Sequence, residues 1–543
     1  MEIIWKKTFL CIQKLRYIFY TQKVGKKETE MIQVKNLTAI HKKDSRPLFE
    51  NLSFVLEKGD KMAVIGEEGN GKSTLLKLLY DPAITDTYIE YEGEILKNGA
   101  CTGYLAQELA EEEKELTIWE YMSSDPVFFE KTPKELGKIA GTVGLPGDIY
   151  YGQEKLRQLS GGEKVKLQLA RILMLDPEVI LLDEPSNDLD LPTLEFLERF
   201  ILNVPAAVLY VSHDETLIER TANKILHLEQ LRRKTRCRYT VAKSTYEEYL
   251  RNRERMFASQ ERIAGKQREE FARQQERYLR IQQKVEYQQN AITRQDPHGG
   301  KLLKKKMHAV KAMEKRFERE KEEFLDFPET ENAVFLLFGK ESAVPQGKQI
   351  LEYCLDVLAA GEKVLARDLF LRVKGPERIG IIGKNGCGKT TFLRKIAEEL
   401  RDRQDIRTAY MPQNYEEEMD MGKTCVEFLK TDGSTEEEKR IRTYLGSMKY
   451  TAQEMDHPAG ELSGGQKAKL FFLKISMQRS QVLILDEPTR NFSPLTCPVI
   501  RKLLAEFPGT IISISHDRKY LKEVCNVLYE LTEKGLKRLY NVK

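Results

Sequence analysis

Two stretches of the 543-residue chain have the composition of a loop that wraps phosphate groups. They are Gly66-Glu67-Glu68-Gly69-Asn70-Gly71-Lys72-Ser73-Thr74 and Gly383-Lys384-Asn385-Gly386-Cys387-Gly388-Lys389-Thr390-Thr391. Glycines at this spacing let backbone N–H groups approach phosphate oxygens, the lysine neutralises the β- and γ-phosphates, and the next hydroxyl can coordinate magnesium. The pattern predicts a nucleoside triphosphate and Mg²⁺ at each loop.

Each loop is followed by a pair of carboxylates suited to phosphate hydrolysis. An apolar run at 179–182 ends in Asp183 and Glu184, and Asp486 and Glu487 repeat the pair. The aspartate at the end of a buried strand is predicted to hold magnesium together with the loop hydroxyl, Ser73 or Thr390. The glutamate that follows is placed to polarise the attacking water, so Glu184 and Glu487 are candidate catalytic residues.

Further residues recur in the same order in both halves. Gln107 and Gln413 follow short strands and are candidates for sensing magnesium and the attacking water. The motif Leu-Ser-Gly-Gly contains Ser160, Gly161 and Gly162 and, later, Ser463, Gly464 and Gly465. His213 and His516 can reach a γ-phosphate. From signature to histidine the two copies are 303 residues apart, which indicates an internal duplication.

The elements around these residues are those of an α/β nucleotide-binding domain. Predicted strands lie at 32–34, 62–65, 102–105, 179–182 and 207–211, and an apolar helix at 75–79 follows the first loop. A phosphate loop requires this strand-loop-helix context, because the helix N-terminus adds its dipole to the site. The chain is therefore predicted to be α/β, with two tandem P-loop NTPase domains.

The order of phosphate loop, glutamine, Leu-Ser-Gly-Gly signature, Asp-Glu pair and histidine resembles the nucleotide-binding domain of ABC ATPases. The resemblance implies that two such domains close head to tail, with each ATP between one phosphate loop and the opposite signature. Site one would join the Lys72 loop to residues 463–465, and site two would join the Lys389 loop to residues 160–162. We therefore expect a monomeric ATP hydrolase with two intramolecular sites and ATP and Mg²⁺ as cofactors.

The loops after the two Asp-Glu pairs differ. Residues 186–190 are close to the family's usual sequence, whereas residues 489–493 end in Ser493, where an aspartate is usual. The resemblance places the second loop at site one. We therefore expect site one to hydrolyse ATP more slowly than site two, or to couple hydrolysis less tightly.

A basic segment separates the two halves. Residues 251–320 contain 19 Lys or Arg and 10 Asp or Glu, a net charge of +9 in a chain whose total is +4. Apolar or small residues recur every seven positions, the spacing of a helix that packs along one narrow seam: Leu250, Phe257, Ala264, Phe271, Tyr278, Val285 and Ile292. Pro297 and Gly299-Gly300 then interrupt the pattern, which predicts a coiled-coil hairpin of two helices at 246–293 and 301–325.

Four regions follow from these patterns. They are an N-terminal extension at 1–30, a first ABC ATPase domain at 31–245, a helical hairpin linker at 246–325 with its tip near 290–300, and a second ABC ATPase domain at 326–543. The first region is either a basic extension or a stretch upstream of the true start codon. It lacks the small-residue cleavage site of a secretory signal.

Composition restricts the cellular setting. No apolar run is long enough to cross a bilayer, and the mean hydropathy is −0.50. The eight cysteines are scattered without a C-x-x-C pair, so neither a zinc site nor an iron–sulfur cluster is predicted. We expect a cytoplasmic protein with no membrane contact of its own.

Two ABC domains joined by a basic helical linker, without a transmembrane part, resemble the ABC-F family. Its members bind the ribosome at the exit site and send the linker toward the P-site tRNA and the peptidyl-transferase centre. The resemblance implies ribosomal RNA and P-site tRNA as partners. Basic linker residues would contact the RNA phosphates, among them Arg273, Arg277, Arg280, Lys301, Lys304, Lys305 and Lys306.

Subdomain size favours one branch of that family. Gln107 and Ser160 are 53 residues apart and Gln413 and Ser463 are 50 apart, so neither half has room for the extra arm that housekeeping members tend to carry. This resembles the antibiotic-resistance ribosome protection members, which act against lincosamides, streptogramin A compounds and pleuromutilins. Two alternatives stay open: an ABC-F translation factor that relieves stalled ribosomes without a drug, and, from another class, a soluble ATPase subunit of a transporter or a nucleic-acid ATPase in DNA metabolism.

Overall fold

The computed structural model describes residues 30–539, apart from 44, 232–235, 292–304, 306, 308–311, 313–337 and 432. The predicted N-terminal extension up to residue 29, most of the hairpin tip and most of the second linker helix therefore lie outside the described residues. The chain divides into two compact units, Met1–Tyr246 with Glu331–Lys543, and Glu247–Thr330.

The first half is built around a mixed sheet. Its strands are β1 (Glu30–His41), β2 (Arg46–Glu57), β3 (Lys61–Ile65), β4 (Ile89–Leu96), β5 (Thr102–Leu105), β6 (Val179–Asp183), β7 (Ala207–Val211), β8 (Lys224–Leu231) and β9 (Arg236–Ala242). The six-stranded sheet has the order β5-β6-β7-β3-β8-β9, with all pairs parallel except β8 with β9. Every residue of β3, β6 and β7 is buried, as expected for parallel strands covered on both faces. A separate antiparallel sheet has the order β2-β1-β4.

Helices of the first half pack against these sheets or form a helical subdomain. They are α1 (Lys72–Tyr80), α2 (Glu111–Lys114), α3 (Ile118–Ser123), α4 (Val127–Glu130), α5 (Pro133–Val143), α6 (Gly161–Met174), α7 (Leu191–Asn203) and α8 (Glu215–Thr221). Several helix starts are set locally, because Thr132, Ser160 and Asp190 each accept a backbone N–H at the helix N-terminus. The strand β3 leads through the loop to α1, which confirms the strand-loop-helix order predicted around Lys72.

The linker begins with one long helix, α9 (Tyr246–Ala291), of 46 residues. The helix predicted at 246–293 is confirmed over residues 246–291, and the last two predicted residues lie outside the described part of the chain. Along its heptad positions Ala264, Tyr278 and Val285 are buried, and Met307 packs against the last two. Met307, a residue of the predicted second helix, therefore lies on the predicted seam. Neither α9 nor another helix in the described residues combines the length and apolar composition that a membrane span needs.

The second half repeats the architecture of the first. Its strands are β10 (Gln349–Ala360), β11 (Lys363–Lys374), β12 (Arg378–Ile382), β13 (Thr408–Met411), β14 (Val482–Asp486), β15 (Thr510–Ile514), β16 (Val527–Thr532) and β17 (Gly535–Leu539). Its helices are α10 (Lys389–Arg401), α11 (Cys425–Leu429), α12 (Thr435–Ser447), α13 (Ala452–Asp456), α14 (Gly464–Met477), α15 (Cys497–Ala505) and α16 (Arg518–Glu523). The sheet order β13-β14-β15-β12-β16-β17 matches that of the first half, and β10 pairs with β11. The predicted α/β fold with two P-loop domains is confirmed.

Candidate functional site

The first phosphate loop connects β3 to α1 and folds around a buried lysine. Lys72 Nζ donates hydrogen bonds to the carbonyl oxygens of Gly66 and Glu67, each at 2.9 Å. A Cβ on Gly66, whose φ is 148°, would lie 2.3 Å from the carbonyl oxygen of Leu228. The loop therefore needs glycine there and holds its lysine at the N-terminus of α1, together with Ser73 and Thr74.

The second loop has the same construction between β12 and α10. Lys389 Nζ donates to the carbonyl oxygens of Gly383 at 2.8 Å and Lys384 at 3.0 Å. Gly386 and Gly388 have φ of 75° and 97°, as Gly69 and Gly71 have 80° and 83° in the first loop. Both loops thus have the backbone shape that lets N–H groups surround a phosphate.

The aspartates lie next to the loop hydroxyls. Ser73 Oγ donates to Asp183 Oδ1 at 2.8 Å, and burial raises the pKa of Asp183. Burial raises the pKa of Asp486 to about 6, although the neighbouring Thr390 hydroxyl lowers it. Each aspartate thus places buried carboxylate oxygens beside the hydroxyl that follows the loop lysine, and oxygen ligands of this kind fit Mg²⁺.

At site one the glutamate and the histidine form a close pair. His213 Nε2 lies 2.9 Å from Glu184 Oε1, and His213 Nδ1 lies 2.7 Å from the carbonyl oxygen of Phe492. Only an imidazolium can donate at both nitrogens. Burial would lower the pKa of His213, but the Glu184 carboxylate raises it overall. Burial would likewise raise the pKa of Glu184, but His213 holds it below its ordinary value.

At site two the matching pair is looser. His516 Nε2 lies 3.7 Å from Glu487 Oε1, and His516 Nδ1 is buried without a hydrogen-bond partner among the described residues. Burial raises the pKa of Glu487 to about 8, with Asp486 adding to the effect. Burial, assisted by the Lys389 ammonium, lowers the pKa of His516 to about 4. Glu184 and Glu487 nevertheless share a backbone φ of 50°, a strained value that is common at functional positions.

The signature serines begin the two helices that approach the opposite loops. Ser160 Oγ accepts from Glu163 N–H at the start of α6, and Ser463 Oγ accepts from Gln466 N–H at the start of α14. A Cβ on Gly162 would lie 2.6 Å from Thr193 Oγ1. Glycine at the signature therefore keeps the helix N-terminus close to its neighbours.

The second signature lies against the first phosphate loop. Gly465 N–H donates to Glu68 Oε2 at 2.5 Å, and Lys469 Nζ on α14 lies 3.0 Å from both carboxylate oxygens of Glu67. A Cβ on Gly465 would lie 2.7 Å from the carbonyl oxygen of Asn491. The structure thus brings together the Lys72 loop and residues 463–465.

The first signature lies against the second phosphate loop. Asn385 Nδ2 donates to the carbonyl oxygen of Asp188, and Gln413 Nε2 donates to Asp188 Oδ1 at 3.1 Å. A Cβ on Gly161 would lie 3.1 Å from the same carbonyl oxygen. A cavity of about 610 Å³ lies here, a size suited to a nucleotide. Its lining comes from both halves and includes Gly161, Lys389, Thr390, Thr391, Asp486 and Glu487.

A second set of contacts joins the two halves away from the phosphate loops. Arg501 on α15 is 3% exposed and lies 2.6 Å from Glu215 on α8 and 2.7 Å from Glu523. Arg518 on α16 contacts Glu198 on α7 and lies 3.4 Å from Asp214. The interface between the halves is therefore built from buried ion pairs as well as from the two sites.

The sequence itself matches the ABC transporter family over residues 49–187 and 366–490, one match in each half. Each match begins ahead of a phosphate loop and ends just after an Asp-Glu pair, and in the fold each loop meets the opposite signature. The chain contains two ABC ATPase domains in tandem. This tandem ABC ATPase is an enzyme that binds and hydrolyses ATP.

Relatives with a similar span support the tandem arrangement. The tandem ABC ATPase is 26% identical to the ribosome protection protein VmlR of Bacillus subtilis over 91% of this chain and 86% of that protein. It is 27% identical to human ATP-binding cassette sub-family F member 3 over 95% of this chain and 73% of that protein. Its homologues therefore include ABC-F proteins.

A solved structure shows the same fold. The crystal structure of archaeal ribosome recycling factor aABCE1 in complex with ribosomal stalk protein aP1 covers 93% of the tandem ABC ATPase with a TM-score of 0.56, at 18% identity. The match spans 89% of that chain. At this identity the likeness concerns the fold of the two ATPase domains.

Some predicted residues are less closely placed, and some contacts were not predicted. Gln107 is exposed in the loop after β5, and no hydrogen bond joins it to the other predicted site residues, all of which are described. Glu67, Glu68, Lys469 and Asp188 instead form cross-domain contacts that motif reading missed. The sequence did contain one signal for these contacts, because Glu67 and Glu68 form an acidic pair inside a phosphate-binding loop. Two such charges repel the phosphates of the ligand unless a cation lies near them.

The unequal sites lead to a prediction about single variants. Ser493 is buried, and its hydroxyl forms a hydrogen bond with that of Thr496. Its counterpart Asp190 is close enough to site two for its carboxylate to act on the pKa of His516, which it raises against the effect of burial. Because site one lacks this carboxylate, Glu184→Gln, which leaves site two intact, should retain about threefold to tenfold more ATPase activity than Glu487→Gln. Steady-state phosphate release at saturating ATP measures the difference. Equal rates in the two variants would contradict unequal sites.

Proposed function

We propose that the tandem ABC ATPase is a ribosome-binding ABC-F protein that docks at the exit site in its ATP-bound, closed form. Its linker then shifts the P-site tRNA and dislodges antibiotics from the peptidyl-transferase centre, and the cell becomes resistant. The observation that carries the proposal is the 26% identity to a ribosome protection protein across 91% of the chain.

The two sites supply the cycle of closure and release. Lys72, Ser73 and Asp183 would hold ATP and Mg²⁺ at site one, and Lys389, Thr390 and Asp486 would hold them at site two. A bound magnesium ion neutralises charge on the β- and γ-phosphates during transfer to water. The opposite signatures approach each loop through glycine, so closure of both sites draws the two halves together until hydrolysis releases them.

The linker has the surface that an RNA partner requires. Arg273, Arg277 and Arg280 are exposed along α9, on the side that does not carry the buried seam. Exposed arginines spaced along one rigid helix can neutralise successive backbone phosphates without reading the base sequence. Binding to ribosomes should accordingly weaken as the salt concentration rises.

Drug susceptibility tests the proposal. Expression of the gene in a susceptible Gram-positive host should raise the minimum inhibitory concentration of a lincosamide, a streptogramin A compound or a pleuromutilin severalfold. The matched control is the same chain with Lys72→Ala and Lys389→Ala, which should confer no protection because neither site can hold ATP.

Ribosome co-sedimentation separates the alternatives. If the chain binds ribosomes with ATP but changes no drug susceptibility, it is a translation factor that acts on stalled ribosomes without a drug. If it does not sediment with ribosomes at low salt, the ribosomal proposal is wrong and a transporter or DNA-metabolism ATPase takes its place.

A further inference from the structure

The first phosphate loop carries two carboxylates that the second loop lacks. Glu67 and Glu68 stand where the second loop has Lys384 and Asn385, 317 residues later. A carboxylate beside a triphosphate is repelled by it, and the repulsion is strong in a site that excludes water. The two glutamates therefore need a partner that offsets their charge.

That partner is the signature helix of the other half. Lys469 on α14 is only 6% exposed, and its ammonium lies 3.0 Å from both carboxylate oxygens of Glu67. The backbone N–H of Gly465, one turn earlier on the same helix, donates to Glu68 Oε2 at 2.5 Å. Both contacts cross from the first half to the second, and both end on α14.

The other site has the opposite electrostatics at the matching positions. The 303-residue offset relates Lys469 to Lys166, and the loop offset relates Glu67 to Lys384. The matching positions therefore hold an anion and a cation at site one and two lysines at site two, where the Lys166 ammonium lies 5.0 Å from the centre of the Phe196 ring in its own half. Where site one has Glu68 against the signature, site two has the neutral amide of Asn385, whose Nδ2 would lie 3.9 Å from a Cβ on Gly161.

We propose that Glu67 and Glu68 form a carboxylate clamp that holds the second signature helix to the first phosphate loop. The clamp adds to site one a contact between phosphate loop and signature helix that differs from those of site two, where Asn385 and Arg490 meet Asp188 instead. Glu67 and Lys469 act as positioning residues, since neither is needed to bind magnesium or activate water. The clamp concerns the ATPase cycle itself, so ribosomes are not required to observe it.

Charge reversal at the outer pair tests the clamp. Glu67 and Lys469 are the pair to change, because Glu68 lies where its substitution would also alter the field at the phosphates. In the purified full chain, Glu67→Lys or Lys469→Glu should raise the KM for ATP about tenfold with a smaller change in kcat, because like charges oppose closure. The double variant Glu67→Lys, Lys469→Glu restores an attractive pair and should recover most of the loss.

Combining the charge reversal with the single variants of the catalytic glutamates shows at which ATP site the clamp acts. Lys469→Glu should lower kcat/KM strongly in the Glu487→Gln background, where only site one turns over, and less in the Glu184→Gln background. Lys467→Glu, the same charge change on the same helix, is the control and should leave the KM for ATP unchanged. Equal losses in both backgrounds, or no recovery in the charge-swapped double variant, would overturn the clamp.

A neutral pair covers the case in which the reversed charges prevent folding. Glu67→Gln and Lys469→Met, made singly and together, remove the charges without introducing repulsion. The clamp predicts that the double variant has a KM no higher than either single variant, because the second change removes a charge that has already lost its partner. Additive increases in KM would show independent side chains and would overturn the clamp.

Discussion

Replacing both Glu184 and Glu487 with glutamine is expected to lower ATP hydrolysis about 10²- to 10⁴-fold while ATP still binds. Each glutamate follows the aspartate that ends a buried strand, and each lies beside a histidine, at 2.9 Å for Glu184 and 3.7 Å for Glu487. Glutamine keeps the size of the side chain but cannot accept the proton of an attacking water. The loops around Lys72 and Lys389 are unchanged, so nucleotide affinity should persist.

Two measurements check this double variant. Phosphate release gives the rate, with Glu130→Gln, Glu506→Gln as the matched control because both of those glutamates are exposed at the ends of helices in the two halves. Co-sedimentation with ribosomes in the presence of ATP gives the second readout, and the double variant should accumulate there because it closes without reopening. Failure to accumulate would contradict the proposed cycle, whereas undiminished hydrolysis would contradict the roles of the glutamates themselves.

Removal of Arg501 is expected to cost about 3 to 5 kcal/mol of stability, because it leaves the buried Glu215 carboxylate without its nearest counter-charge. The guanidinium lies 2.6 Å from Glu215 of the first half and 2.7 Å from Glu523 of the second, with Asp517 at 3.9 Å. Arg501→Ala should therefore lower the midpoint of thermal unfolding and loosen the contact between the halves. The control is Lys502→Ala on the same helix, which should have little effect because Lys502 is exposed.

The pH dependence of this loss has a definite sign. Burial raises the pKa of Glu215 to about 6 in spite of Arg501. Because the pKa of Glu215 is higher in the folded protein than its ordinary value, the ionised Glu215 carboxylate lowers the stability of the fold above about pH 6. This loss of stability is removed as the pH falls from about 6 toward the ordinary pKa of a glutamate. Arg501→Ala should therefore be less destabilising at pH 5 than at pH 7.5. A combined Arg501→Ala, Glu215→Ala variant should lose less stability than the two single variants lose in sum.

The fold and most site residues could be predicted because their signals are local. Glycines at 66, 69 and 71 are needed for positive φ in a loop that leads directly from β3 to α1, so the motif specifies its own backbone. The buried strands ending at Asp183 and Asp486 are short apolar runs, and the heptad positions of α9 coincide with its buried stripe. Because the two halves are an internal duplication, each site residue recognised in one half also identified its counterpart in the other half.

The contacts between the halves were decided by the tertiary structure. Glu68 and Gly465 are 397 residues apart, and Lys469 and Glu67 are 402 apart, so no periodicity or motif spacing in the chain links them. The sequence by itself determined two ATPase domains, their phosphate loops, their carboxylates and the long basic helix between them, since each depends on neighbouring residues. Which charges meet across each site was decided only by the packing of one half on the other. Whether two facing residues attract or repel depends on side chains that are distant in sequence and come together only when the domains close.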